Sequence, residues 1–84
     1  MTLKQMNEKA KKLSDSKRVD LLMDYEDEHS HITNENILIL FGNLIRTGMA
    51  WSLQSHYGRV AIRIIDDGFI NRKGEIIKVP KGGN

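Results

Sequence analysis

Cysteine is absent from this 84-residue chain, which excludes disulfides and thiolate metal sites. That absence suits either redox compartment. Long hydrophobic runs are missing too: the longest, Ile37-Leu38-Ile39-Leu40-Phe41, falls far short of the roughly 20 residues that a transmembrane helix needs. The opening stretch from Met1 to Lys12 has no apolar segment behind its charges, so it does not read as a signal peptide and a cytoplasmic location is expected. There is no internal repeat, no phosphate-cradling glycine loop and no nucleophile motif, so an enzyme is not expected.

What is present suits a small soluble globule, with 39% hydrophobic and 29% charged residues. A chain of this length has room for one core. It buries only about 60% of its unfolded surface, and small domains of this kind lean on disulfides, metal or self-association. With disulfides excluded, homo-oligomerisation is the expected support, through apolar surface of residues 37–45 left over after folding. Charge comes in blocks. Residues 1–18 carry six cations against two acids, residues 19–35 carry six acids and no Lys or Arg, and the tail from Phe69 carries four cations against Glu75. The whole chain is +2. Such alternation makes either two solvated surfaces or an acidic face that meets a basic end of a neighbouring molecule.

Periodicity predicts a mainly α fold of three to four short helices with a helix-turn-helix corner and a small C-terminal β-hairpin. Leu3, Met6, Ala10 and Leu13 fall at helical spacing, giving a first helix over about residues 2–13. Ser14, Asp15 and Ser16 are all good N-caps for a second helix over about residues 17–28, with Val19, Leu22, Met23 and Glu26 on one face. Thr33 caps a third, whose stripe of Ile37, Leu38, Phe41, Leu44 and Ile45 runs to a stop at Gly48. Residues 59–65 fit two templates. Their β-branched content, between Gly58 and Asp66-Asp67-Gly68, fits a strand and turn, while Tyr57, Val60, Ala61, Ile64 and Ile65 fit one stripe of a helix. Phe69-Ile70 and Glu75 to Val79 flank the turn sequence Asn71-Arg72-Lys73-Gly74, which predicts the hairpin. The expected organisation is a basic N-terminal helix or arm (1–15), one compact domain (16–80) and a flexible tail (81–84).

The run Thr47-Gly48-Met49-Ala50-Trp51-Ser52-Leu53-Gln54-Ser55-His56-Tyr57-Gly58-Arg59, followed by Ala61 and Gly68-Phe69-Ile70, resembles a family of small tailed-bacteriophage proteins. Its members share a pattern like T-G-x-A-W-x-L-Q-G-x-Y-G-R, then an Ala-rich helix and G-x-I. The likeness covers about residues 33–72 and departs at Ser55, where the pattern has Gly, and in the β-branched helix. It implies that residues 59–65 are helical. In length, basic N-terminus and cytoplasmic character the chain is also similar to the lysis-inhibition accessory proteins, or antiholins, of T-even phages. That similarity implies action in the host cytoplasm.

Within this motif Gly48 ends a helix, Met49, Ala50 and Trp51 cover the bottom of the core, and Gln54 satisfies backbone groups at a tight connection. Tyr57 buries its ring and keeps a partner for its hydroxyl, and Gly58 permits close backbone approach. Three functional classes follow. The first is a protein-binding regulator, in its sharpest form an antiholin contacting the cytoplasmic segment of a phage holin, or else a host protein. Its candidate contacts are Lys9, Lys11, Lys12, Lys17 and Arg18, the edge formed by Arg59 and Arg63, and the acids Asp24, Glu26, Asp27 and Glu28. The second is a winged helix-turn-helix binding nucleic acid, with Ser55, His56, Arg59 and Arg63 facing a groove and Arg72 and Lys73 on the wing. The third is a metal site at His29 and His31, whose H-x-H spacing aligns two imidazoles, with His56 as third ligand. The resemblance, together with the missing catalytic features, implies the first class, with no cofactor and no metal expected.

Overall fold

Thr2 starts the first helix by a reciprocal pair of hydrogen bonds. Its hydroxyl accepts from the Gln5 N–H at 3.1 Å while its own N–H donates to the Gln5 side chain at 2.9 Å, a capping box that opens α1 (Leu3–Lys11). Ser14, rather than Ser16, caps α2 (Asp15–Glu26), accepting from the Lys17 N–H. Helix α2 therefore begins and ends two residues earlier than the spacing predicts, and Asp27 turns into extended backbone. Thr33 caps α3 (Asn34–Thr47), and Gly48, at φ +82°, takes the left-handed conformation that stops it. A 3-10 turn, Met49–Trp51, leads to α4 (Ser55–Asp66). Residues 59–65 are thus helical. The structure, a computed structural model, describes residues 1–80. The expected tail, 81–84, lies outside the described residues.

Helix α3 is the centre of the molecule. Every residue from Leu38 to Ile45 is buried, so the helix is covered on all sides and leaves no spare apolar face. Self-association through residues 37–45, expected from the sequence, has no surface to use there. Helix α1 packs on α3 and buries Met6 and Ala10 completely. It shares one core with the rest of the chain, and no separate arm precedes a domain at residue 16. Tyr57 and Ala61 of α4, Ala50 of the 3-10 turn, and Ile70 and Ile76 complete that core.

Helix α2 turns a different face inward from the expected one. Leu21, Leu22 and Tyr25 pack on the core, while Val19 and Met23 are exposed. The rotation is about 100°, one residue's step around a helix. Tyr25 decides it, meeting Phe41 edge-on at 5.3 Å between ring centroids and Tyr57 at 5.9 Å.

Instead of a hairpin of two strands, the C-terminal segment forms one antiparallel bridge between Ile70 and Ile76. Two groups that a longer ladder would pair are engaged elsewhere, the Phe69 N–H donating to the Ile64 carbonyl at 3.2 Å and the Glu75 N–H to Asn71 Oδ1 at 3.0 Å. The outer edge of Ile76 is taken by Asn7, whose side-chain amide accepts from the Ile76 N–H at 2.8 Å and donates to the Ile76 carbonyl at 2.9 Å. Ile76 stands in a non-hydrogen-bonded pair with Ile70, so those two backbone groups face away from that partner, and the bridge is closed by Asn71 N–H to the Glu75 carbonyl and Ile77 N–H to the Phe69 carbonyl. The turn itself is held by Asn71, whose side-chain oxygen accepts from the N–H groups of Lys73 and Glu75. No helix among the described residues is long and apolar enough to cross a membrane.

Candidate functional site

Gly48 and the 3-10 turn decide where the single tryptophan goes. Ala50 is driven into the core while Trp51, next along the turn, is 52% exposed, so it covers no core floor. Its ring lies along the start of α4, where Gly58 leaves room: a Cβ at Gly58 would stand 3.7 Å from Trp51 Cε3 and 3.5 Å from the Ala50 carbonyl oxygen. Gln54 precedes α4, is exposed and makes no side-chain cap. The backbone-satisfying role expected of it is not taken up.

Helix α4 has two unlike faces. Tyr57 and Ala61 point into the core, while Ser55, Arg59, Ile62, Arg63 and Asp66 are exposed. Ile62 is 52% exposed, and with Trp51, Ile65, Asp66 and Arg72 it lines a shallow cleft of about 370 Å³. The result is an apolar strip of Trp51 and Ile62 with Arg72 and Asp66 in the cleft, and Arg59 and Arg63 exposed beside Ile62 on the outer face of α4. Among the described residues none of these three arginines has an ion-pair partner.

The other expected contacts do not join this surface. Lys9 and Lys12, from the end of α1, and Lys17 of α2 line a groove of about 790 Å³ together with Asp20 and Asp24 of α2, and Lys12 pairs with Glu8 at 3.4 Å. Lys11 is exposed at the end of α1. Arg18 is engaged inside the fold. Its Nε donates to Asn43 Oδ1 at 2.9 Å and its Nη1 to Asp15 at 2.8 Å, while Asn43 Nδ2 donates to the Ala10 carbonyl at 2.9 Å. Asn43 is thus a buried amide joining α1, α2 and α3, and it satisfies a carbonyl that the end of α1 leaves without a helical partner. Its position inside an otherwise apolar run was the signal for it. Asn7 and Gly74 carried no such signal.

Glu26, Tyr57 and His56 form a second polar junction. The Tyr57 hydroxyl donates to Glu26 Oε2 at 2.6 Å, and His56 Nε2 stands 3.4 Å from the same oxygen. Burial, then the hydrogen bond to Glu26, raises the Tyr57 phenol far above its ordinary pKa of 10.0, and burial also raises Tyr25. His56, expected either in a DNA groove or on a metal, is turned to Glu26 and stacks 4.1 Å from the Tyr57 ring. His29 and His31 are exposed in the α2–α3 connection. Among the described residues no three potential metal ligands converge. Asp27 accepts from the His29 N–H, and Glu28 is exposed. Arg72 and Lys73 ride on the tight 71–74 turn rather than on an extended wing.

No curated protein and no solved structure matches this chain. Residues 12–82, from the end of α1 onward, match the family described as Domain of unknown function (DUF7417), and the chain belongs to that family.

Proposed function

We propose that the chain is a non-enzymatic protein-binding regulator that docks through Trp51 and the outer face of α4. One observation carries this reading: the tryptophan stands half out of water beside the exposed Ile62, with Arg72 in the same cleft and Arg59 and Arg63 exposed on the same outer face of α4, none of the three ion-paired among the described residues. Tryptophan and arginine are the residue types that anchor protein interfaces, since each combines a large contact area with a directed polar edge. The apolar pair supplies burial, and the cations set orientation and speed of encounter. The resemblance to phage lysis-inhibition proteins names the first partner to try, the cytoplasmic segment of a holin, whose pore formation the bound regulator would delay. Action would then take place in the host cytoplasm. Docking on nucleic acid is the competing reading, and the inward turn of His56 removes one of its reading residues.

The test is a nuclease-treated pull-down from phage-infected cells, comparing the native chain with Trp51→Ala and with Arg59→Glu/Arg63→Glu. A protein retained by the native chain and reduced at least about tenfold by either variant is the expected result. Retention unchanged by both variants, or material that washes away with the digested nucleic acid, would overturn the proposal.

A further inference from the structure

The rotation of α2 leaves an apolar pair outside the core. Val19 is 51% exposed and Met23 65%, and the exposed Asp20 and Asp24 flank them along α2, with Lys17 on the same flank and the exposed Asp27 at the helix's C-cap. Among the described residues none of these three acids has an ion-pair partner. Lys9 and Lys12, at the end of α1, line the adjoining groove with Asp20 and Asp24, and Lys17 stands beside those acids on α2, without closing a pair to either. The outer face of α4 repeats this plan with the charge reversed: Trp51 and Ile62 with Arg59, Arg63 and Arg72, against Asp66. Both faces are open to solvent in the same molecule, so they do not cover one another within a single chain.

We infer that the acidic, apolar face of α2 in one copy docks on the basic, apolar face of α4 in another. The inference rests on the reading of the α4 face as a docking surface, and it commits that surface to a second copy of this chain. The contact joins unlike patches, so each copy brings one of each sign, and repetition gives a reciprocal pair, a ring or a growing chain. Opposite charge selects the pairing of α2 with α4 over α2 with α2 or α4 with α4, because like charges brought together repel. Two half-exposed apolar residues on each side then leave water on docking.

Sedimentation velocity of the purified full chain over a concentration series tests this. At low salt the native protein associates, and at about 0.5 M salt, where the screening length is about 4 Å, the association weakens at least about tenfold. Arg59→Glu/Arg63→Glu alone and Asp20→Lys/Asp24→Lys alone each sediment as monomers. Mixing the two variants restores association, since every α2–α4 contact between unlike chains is again between opposite charges. Circular dichroism melts check that each variant folds, and a variant that fails is replaced by its neutral form, Arg59→Gln/Arg63→Gln or Asp20→Asn/Asp24→Asn. A native chain monomeric at every concentration, association indifferent to both variants, or a mixture that stays monomeric would each overturn the inference. A monomer that still captures a protein from cells would leave the regulator reading standing, whereas a self-associating chain that captures none would remove that reading alone.

Discussion

Gly74 sits against backbone on two sides. A Cβ there would stand 2.7 Å from the Gly42 carbonyl oxygen and 2.8 Å from the Arg46 amide nitrogen, and its φ of +89° already disfavours any L side chain. Gly42 returns the contact, because its own absent Cβ lets the 71–74 turn approach α3. Gly48 shares the left-handed backbone with nothing within 4 Å of its missing Cβ. Gly48→Ala should therefore cost only the backbone strain, about 1–2 kcal/mol. Gly74→Ala should cost roughly 3 kcal/mol or more, since strain and overpacking add where neither neighbour can move aside. Urea midpoints of the two variants measure the difference, and equal midpoints would show that the turn does not press on α3. Glycine's need here is invisible in a sequence, because the atom it makes room for lies in another element.

At the scale of elements, α1 is held from its far side. Asn7 takes both backbone groups of Ile76, 69 residues away, while Asn43 takes the Ala10 carbonyl. Asn7→Ala leaves the buried Ile76 N–H and carbonyl without partners, at about 2 kcal/mol. Hydrogen exchange should then quicken at Ile76, with little change at the Phe41 and Leu44 amides in the middle of α3 unless the whole molecule opens. Protection at Ile76 equal to that of the native chain would mean that the bridge to Ile70 holds the segment alone. The caps at Thr33 and Gly48 were legible from sequence because a cap is a local bond between residues three or four apart. The inward face of α2 was not, since both Val19–Met23 and Leu21–Leu22–Tyr25 make an amphipathic helix. Aromatic contacts with Phe41 and Tyr57 choose between them.

At the scale of the whole molecule, stability has a pH limit on the alkaline side. The fold holds Tyr57 as the neutral phenol, with its pKa raised by burial first and by Glu26 second. The unfolded chain releases that proton near pH 10, so unfolding gains from every further rise in pH until the folded phenol ionises. Stability contributed by Tyr57 is therefore complete below about pH 10 and declines above it, with a slope of up to about 1.4 kcal/mol per pH unit. Tyr25 is shifted the same way and leaves a residual slope. Tyr57→Phe should flatten the alkaline limb of a melting-temperature profile while giving up about 1 kcal/mol near neutral pH with the lost hydrogen bond. A profile as steep as that of the native chain would show that another group governs the limb. The same junction fixes the end of α2 against the start of α4, and with it the outward placement of the two oppositely charged helix faces.

Composition and periodicity were sufficient for one small, mainly helical core with residues 37–45 in it, but they left part of that run as spare apolar surface, and only the packing of the other elements covers Leu38 to Ile45 on every side. They were sufficient also for the helix stop at Gly48, where a short-range backbone requirement meets the one residue suited to it. The candidate surface was half legible: Arg59 and Arg63 fall at i, i+4 on any helix, but Trp51 reads as core and emerges half-exposed. The retention of Arg18 by Asn43 and the outward turn of Val19 and Met23 depend on partners far along the chain. Those partners compete for one limited interior, and which side chains fill it is settled only when the helices are packed together.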